Sequence, residues 1–117
     1  MDELLEKLKV YGADIEGAMG RFLGDVDLYK TCFTAFVQDE AFEKLGEAVT
    51  DSDYEKAFEC AHTLKGITGN MGLTPLYKVI YDMVELLRKH EYADIRHCYA
   101  EISEQLKSLK EFHKQSV

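Results

Sequence analysis

Residues 52–72 read SDYEKAFECAHTLKGITGNMG, and this segment has the clearest helix boundary in the chain. Ser52 and Glu55 form an S-x-x-E capping box, in which each side chain satisfies a backbone N–H at a helix start, so we expect a helix from Asp53. Asn70 to Gly72 provides a stop that tolerates left-handed backbone. Between these ends the apolar stripe at helical spacing comprises Tyr54, Ala57, Phe58, Ala61, Leu64 and Thr68. The segment therefore predicts an amphipathic helix with one buried face.

Helical spacing continues on both sides of this segment, and no stretch alternates as a half-buried strand does. Upstream, the apolar residues between Asp27 and Thr50 predict one long or kinked helix. Downstream, Thr74 as N-cap and Pro75 as the first helical residue predict the next helix, and a last helix begins near Ile95. Amphipathic helices joined by short turns predict an antiparallel bundle.

A smaller helix precedes this bundle. Leu4, Leu5, Leu8 and Tyr11 make a short apolar face that ends at Gly12, and a glycine-rich connection with one brief helix follows. We therefore predict an all-α fold: an antiparallel four-helix bundle with a short additional N-terminal helix. Residues 1–117 are expected to form a single domain, since no linker, repeat or low-complexity stretch divides them.

Composition narrows the classes of function. The chain has 117 residues, 46% of them hydrophobic, and a net charge of −8. No apolar run approaches the roughly 20 residues of a membrane span, and the acidic balance argues against nucleic acid as the main partner. The 3 cysteines, without C-x-x-C spacing or a preceding signal peptide, favour a reducing compartment. We expect a cytoplasmic monomer that binds neither membranes nor nucleic acids.

Histidine is the side chain most readily used for nucleophilic, acid–base or metal chemistry near neutral pH, and the chain has 4. His90 falls at a helix end, His97 on a polar helix side and His113 near the C-terminus, so each is expected to be a solvated surface residue. His62 lies about 100° from Ala61 on a helical wheel. That angle predicts a ring at the margin of the core, held on one flank and open to water on the other.

The neighbours of His62 are unusual for a helix interior. Gly66 and Gly69 follow at i+4 and i+7, where each glycine costs about 0.5–1 kcal/mol relative to alanine. Their missing side chains would leave the imidazole open to another macromolecule. Lys65, at i+3, can reach toward the ring and counter the charge of a phosphoryl group. Because residues 60–81 contain no Asp or Glu, this locally positive patch suits an anionic reactant or an acidic partner surface.

A metal site and an ordinary structural histidine are the alternatives for this helix. Glu59 and His62 form one E-x-x-H, which is the spacing of di-iron sites on a helix. Such a site needs a second motif and further inward-pointing glutamates, and the chain has no second E-x-x-H. No metal ligands are therefore predicted. Taken alone, a histidine on an amphipathic helix is most often structural or merely exposed.

The residues around His62 resemble a known signature. Residues 61–73, AHTLKGITGNMGL, closely resemble the motif of histidine-containing phosphotransfer (HPt) domains of two-component phosphorelays. Every fixed position of His-x-Leu-Lys-Gly, and a further Gly beyond the variable residues, is matched, and the resemblance spans about residues 12–112. It implies that His62 accepts a phosphoryl group from an aspartyl phosphate on a receiver domain and passes it to another receiver's aspartate. Lys65 then matches the lysine that supports the phosphoryl oxygens, and Gly66 the small residue that gives access to the ring.

One position departs from the family. Many members place Gln, Glu or His on the neighbouring helix, where it hydrogen-bonds Nδ1 of the ring and fixes its tautomer. The nearest residues here are Tyr81, Val84 and Glu85, so Tyr81, Glu85 or a water molecule stays open for that role. Arg88, one turn further, is a candidate for the phosphoryl charge.

The resemblance also implies the partners, which are response-regulator receiver domains and a hybrid sensor kinase. The expected docking face surrounds His62 and consists of Gly66, Gly69, Asn70 and the exposed parts of Phe58 and Tyr81. Met19 and Phe22 either complete this face or cap the bundle, and we favour the second.

The chain has no G-x-x-x-x-G-K-[ST] loop for ATP. We therefore expect a phosphotransfer intermediate that a partner phosphorylates, without kinase activity or a cofactor of its own. Mg²⁺ is expected from the partner receiver domain. The alternative function is a helical adaptor that docks receiver domains without transfer.

Overall fold

The computed structural model describes residues 2–116. Seven α-helices and no strand occur in these residues, so the all-α prediction is confirmed. The helices are α1 (Glu3–Tyr11), α2 (Ile15–Arg21), α3 (Val26–Val37), α4 (Ala41–Thr50), α5 (Tyr54–Asn70), α6 (Thr74–Arg88) and α7 (Ile95–Gln115).

Helices α4 to α7 form the bundle. Each packs on the next in chain order, and α7 also packs on α4, which closes the ring. The connections are a few residues long, so successive helices reverse direction. Each of the four contributes a fully buried side chain to the shared core, among them Leu45, Leu64, Ile80 and Ile102. Burying one such side chain stabilises the fold by about 1.5–3 kcal/mol.

The predicted helix from Asp27 to Thr50 is two helices. Residues 38–40 separate α3 from α4, and the carboxylate of Asp39 accepts a hydrogen bond from the backbone N–H of Ala41 over 2.8 Å. An aspartate that bonds to nearby backbone in this way offers the chain an alternative to the helix. The rings of Phe36 and Phe42 meet edge to face across the break, with centroids 5.2 Å apart.

The predicted capping box at the start of α5 is wrong. Asp53 is the N-cap, and its carboxylate accepts from the N–H of Lys56 over 3.2 Å. Ser52 instead adopts a left-handed conformation, φ 56°, in the turn that ends α4. Aspartate is as good an N-cap as serine, so the helix begins at Tyr54, one residue later than expected.

The start of α6 is also displaced by one residue. Leu73 is the N-cap and Thr74 is already helical, with its hydroxyl donating to the carbonyl oxygen of Gly72 over 3.3 Å. Gly72 has φ +70°, and a Cβ there would lie 2.5 Å from the carbonyl oxygen of Asp14. The predicted stop at Asn70 to Gly72 therefore depends on a glycine that gives both the turn and a close approach.

The segment before α4 closes one end of the bundle, because its contacts gather at the α5–α6 turn. The N–H of Asp14 donates to the carbonyl oxygen of Gly72 over 2.8 Å, and the hydroxyl of Tyr29 donates to that of Met71 over 2.8 Å. The hydroxyl of Tyr11 accepts from the N–H of Leu76 over 3.0 Å and donates to Gln105 over 2.6 Å. Among the described residues, no helix combines the length and apolar character needed to cross a bilayer.

Candidate functional site

His62 lies on α5 between the buried residues Ala61 and Leu64, and its own side chain is exposed. The imidazole stacks on Phe58, one turn earlier, with centroids 5.8 Å apart and an interplanar angle of 18°. It makes no hydrogen bond with any side chain or backbone group of residues 2–116. The ring is therefore supported by packing on one side, and its nitrogen atoms are free to meet an incoming group.

Lys65 extends from α5 toward α6. Its ammonium group lies 4.9 Å from the centroid of the Tyr81 ring, an arrangement in which the face of the ring attracts the cation. Within residues 2–116 no carboxylate forms an ion pair with Lys65. The charge predicted beside His62 is thus held by an aromatic ring and is not neutralised by an acid.

Arg88, on α6, lies over the ring of Phe58, which stacks on His62. Its guanidinium carbon is 5.4 Å from the centroid of the Phe58 ring, and its Nε is 3.5 Å from a carboxylate oxygen of Glu85. The structure therefore places Glu85 against Arg88 and gives it no hydrogen bond to the imidazole. Neither Tyr81 nor Glu85 makes a hydrogen bond to a ring nitrogen of His62 in the described part of the chain, so the orienting group stays open.

The two glycines after His62 serve different needs. A Cβ at Gly66 would meet nothing within 4 Å, so the missing side chain leaves open space beside the imidazole. A Cβ at Gly69 would lie 3.1 Å from the Tyr77 ring. Access to the ring through Gly66 stays a prediction, whereas Gly69 makes room for an aromatic side chain of α6.

Comparison with protein families decides the assignment. Residues 33–112 match the family model of the Hpt domain, and this range covers more than half of the chain. The chain belongs to the Hpt domain family. Hpt domains are phosphotransfer modules of two-component phosphorelays, not kinases, and they work with receiver domains and kinases. Comparison with curated proteins and with solved structures finds no match.

The matched range of this Hpt domain contains α4, α5, α6 and α7 as far as Phe112, together with every predicted site residue from Phe58 to Arg88. Helices α1 and α2 and the first turns of α3 precede it. Helix α2 nevertheless contacts the helix that carries His62. Arg21 donates from Nε to the carbonyl oxygen of Asn70 over 2.7 Å and from Nη2 to that of Gly69 over 3.1 Å. The last turn of α5 has no basic residue of its own, and Arg21 supplies the cation that suits a helix C-terminus.

Sequence reasoning missed Arg21, because its partners lie far along the chain and no local pattern links them.

The position of Phe22 agrees with the role that the sequence favoured. The Phe22 ring is buried and meets Tyr29 edge to face, with centroids 5.1 Å apart, as expected of a residue that caps the bundle. Phe22 also lines a shallow groove between α3 and α5 that reaches Gly66. Met19 is half-buried against the core.

Of the other three histidines of the Hpt domain, two are exposed and one is half-buried. His90 and His97 are exposed, as predicted. The expectation of a solvated His113 is wrong: the ring is half-buried, with Nε2 3.0 Å from the hydroxyl of Thr34. That hydroxyl donates its hydrogen to the carbonyl oxygen of Lys30, so His113 is the donor to Thr34. Its position four residues after the buried Leu109 is the signal that was available.

The E-x-x-H motif does not assemble a metal-binding cluster in the described part of the Hpt domain. Glu59 is exposed, and no three His, Cys, Asp or Glu side chains of residues 2–116 converge as metal ligands.

Proposed function

We propose that this Hpt domain is a phosphorelay intermediate whose acceptor is His62. The ring would take a phosphoryl group from an aspartyl phosphate on one receiver domain and give it to an aspartate on another. The observation that carries this proposal is the exposed imidazole, supported by Phe58 and bordered by the open space at Gly66. A phosphorylated partner can reach such a nitrogen without any movement of the bundle.

The transfer step is an in-line displacement at phosphorus. The lone pair on Nε2 of His62 forms the N–P bond, while the P–O bond to the partner's aspartate breaks and its electron pair returns to the carboxylate. The ring keeps its hydrogen on Nδ1 and becomes positively charged when the N–P bond forms. Loss of the Nδ1 proton to water then neutralises the ring. Return transfer reverses these changes with a second aspartate.

Lys65 and Arg88 are proposed to counter the charge on the phosphoryl oxygens. Both cations lie over aromatic rings: Lys65, one turn from His62 on α5, over Tyr81, and Arg88 over Phe58, which stacks on His62. Positioned cations lower the barrier of phosphoryl transfer because there is little other chemistry for the protein to supply. The Mg²⁺ ion that we expect the receiver domain to bring would offset further charge on the same oxygens.

The docking face is proposed to surround His62 and to include Gly66, Gly69 and Asn70, with the exposed parts of Phe58 and Tyr81. Tyr81 is 42% exposed, which gives this surface an apolar component. A weak, transient interface suits a relay, since each partner must leave after transfer. We further propose a hybrid sensor kinase as the source of the phosphoryl group and a cytoplasmic monomer as the working form.

Incubation with a phosphorylated receiver domain tests the proposal. We expect acid-labile, alkali-stable phosphate to appear on the wild-type chain and to be absent from His62→Gln. His97→Gln is the matched control, because His97 is also an exposed helical histidine but lies on α7. Incubation with ATP alone should give no labelling. Receiver binding without transfer would overturn the proposal in favour of the adaptor, and unchanged labelling of His62→Gln would exclude His62 as the acceptor.

A further inference from the structure

The two cations proposed to support the phosphoryl group, Lys65 and Arg88, are held in different ways. Arg88 lies between the Phe58 ring and the carboxylate of Glu85, at 5.4 Å and 3.5 Å. Lys65 has no carboxylate in an ion pair within residues 2–116 and lies over the ring of Tyr81 at 4.9 Å. One cation is therefore partly neutralised before a phosphoryl group arrives, and the other is not.

The group that holds a lysine determines whether its N–H donors are available to bind phosphoryl oxygens. A carboxylate occupies the N–H groups of an ammonium and must be displaced before they can bind phosphoryl oxygens. The face of an aromatic ring attracts the same cation without accepting all of its hydrogen bonds. A free lysine side chain samples many rotamers, and ordering it at the moment of transfer opposes the reaction. A lysine already held over a ring avoids part of that cost while keeping its donors available.

The Tyr81 ring packs against a second aromatic ring on α6, which in turn packs against α5. Tyr77, one turn earlier on α6, lies against it with centroids 6.1 Å apart. The Tyr77 ring in turn fills the space that a side chain at Gly69 would enter, 3.1 Å from the Cβ position. Contacts thus run from Gly69 to Tyr77, from Tyr77 to Tyr81 and from Tyr81 to Lys65. This series gives the second glycine of the motif a physical reason that access to His62 does not supply.

We propose that Tyr81 is a positioning residue, whose ring holds the ammonium of Lys65, one turn after His62 on α5, so that its hydrogen-bond donors are available when the phosphoryl group arrives. Tyr81 acts through Lys65 and touches no reacting atom. The inference rests on the proposed function of His62, and it adds the mechanism by which the neighbouring cation is kept in place without an acid.

A double-mutant cycle on Tyr81 and Lys65 tests the inference. Tyr81→Leu removes the ring face, Tyr81→Phe keeps it, and Lys65→Met removes the cation but keeps the stem. The rate constant of transfer from a phosphorylated receiver domain is expected to fall about two- to fivefold in Tyr81→Leu, the range of an exposed cation–π contact. Tyr81→Phe should restore it. At saturating receiver concentration, where the contribution of Tyr81 to docking does not limit transfer, Tyr81→Leu should have no further effect in the Lys65→Met background. Affinity for the unphosphorylated receiver, measured by titration, should change less than the rate constant.

Proton NMR of the Lys65 side chain provides a readout that does not depend on transfer. Protons above an aromatic ring are shifted upfield, so the Lys65 methylene next to Nζ should move downfield in Tyr81→Leu and stay in place in Tyr81→Phe. Tyr81 is 42% exposed, so the replacement should leave the fold intact, and Tyr81→Gln serves if Tyr81→Leu does not fold.

The outcomes separate the two proposals. Transfer to wild-type His62 with additive effects of the Tyr81 and Lys65 replacements, or an unchanged Lys65 resonance in Tyr81→Leu, would overturn the inference and leave the proposed function standing. No transfer to the wild-type chain from any phosphorylated receiver would overturn both.

Discussion

The guanidinium of Arg21 donates to the carbonyl oxygen of Asn70 over 2.7 Å, which joins α2 to the last residue of the helix that carries His62. A second bond reaches Gly69 over 3.1 Å. The last carbonyl groups of a helix have no hydrogen-bond donor within the helix. Arg21 supplies donors to two carbonyl groups at the end of α5. The segment outside the family match therefore helps to hold the site.

Arg21→Met should lower the free energy of unfolding by about 1–2 kcal/mol, since charge-assisted hydrogen bonds contribute more than neutral ones but this pair is exposed. Urea denaturation measures the change. Arg96→Met is the matched control, because Arg96 makes one longer bond, 3.3 Å, to the carbonyl oxygen of Thr50 at the end of α4. An equal loss in both variants would contradict a special role for Arg21.

Gly66→Gln should block transfer while leaving the bundle folded. A side chain at this position enters open space on the helix face one turn from His62, where, under the proposed function, it would obstruct the approach of a receiver domain. Displacing the partner by about 1 Å can cost about 100-fold in rate, so we expect a loss of that order in the transfer assay. The free energy of unfolding should rise slightly, because glycine in a helix is about 0.5–1 kcal/mol less favourable than alanine.

Gly20→Gln is the control for this experiment. Gly20 lies in α2, and a Cβ there also meets nothing within 4 Å. The control variant should transfer at the wild-type rate. A normal rate in Gly66→Gln would show that open space at this position is not what admits the partner.

Local signals account for the parts of the fold that sequence reasoning predicted. The spacing of apolar residues indicated α5, α6 and α7, and Gly72 indicated the end of α5. The break at residues 38–40 was not predicted from the sequence, because three polar residues are compatible with an exposed helix as well as with a turn. In the structure, the hydrogen bond from the N–H of Ala41 to Asp39 and the packing of Phe36 on Phe42 favour the turn.

For the candidate site, too, local sequence predicts some features and not others. His62, Lys65 and Gly66 lie on one helix, so their proximity follows from helical geometry. The contacts of Lys65 with Tyr81 and of Phe58 with Arg88 join α5 to α6, and they depend on how far the two helices are shifted along each other. That register is set by core packing, which no short motif encodes.

Glu85→Gln should strengthen the support that Arg88 can give to a phosphoryl group. The ion pair at 3.5 Å is partly exposed, and such pairs contribute about 0–1 kcal/mol. Removing the carboxylate frees the guanidinium at little cost in stability, and a gain of about twofold in the transfer rate constant is expected. Arg88→Gln should act in the opposite direction.

Glu104→Gln is the matched control for this pair. Glu104 faces Lys107 at the same i,i+3 spacing on α7, away from His62, and should leave transfer unchanged. A slower rate in Glu85→Gln would instead favour a direct role of Glu85 at the imidazole.

Alkaline pH should destabilise the bundle through Tyr11. Burial raises the pKa of Tyr11 to about 12, against the ordinary value of 10.0. Between these values the unfolded chain loses the phenolic proton while the folded chain retains it. The free energy of unfolding therefore falls as pH rises above about 10 and continues to fall through the folded pKa. Burial also raises the pKa of Tyr29, which acts in the same direction.

Tyr11→Phe isolates the first contribution. The variant loses the hydrogen bonds to Leu76 and Gln105, so its free energy of unfolding should be lower than that of the wild type near pH 8. Above about pH 10 its stability should decline less steeply with pH, because one ionisation has been removed. Urea denaturation at a series of pH values from 8 to 12 measures both effects. Equal slopes in the two proteins would show that the Tyr11 hydroxyl ionises as readily in the folded chain as in the unfolded chain.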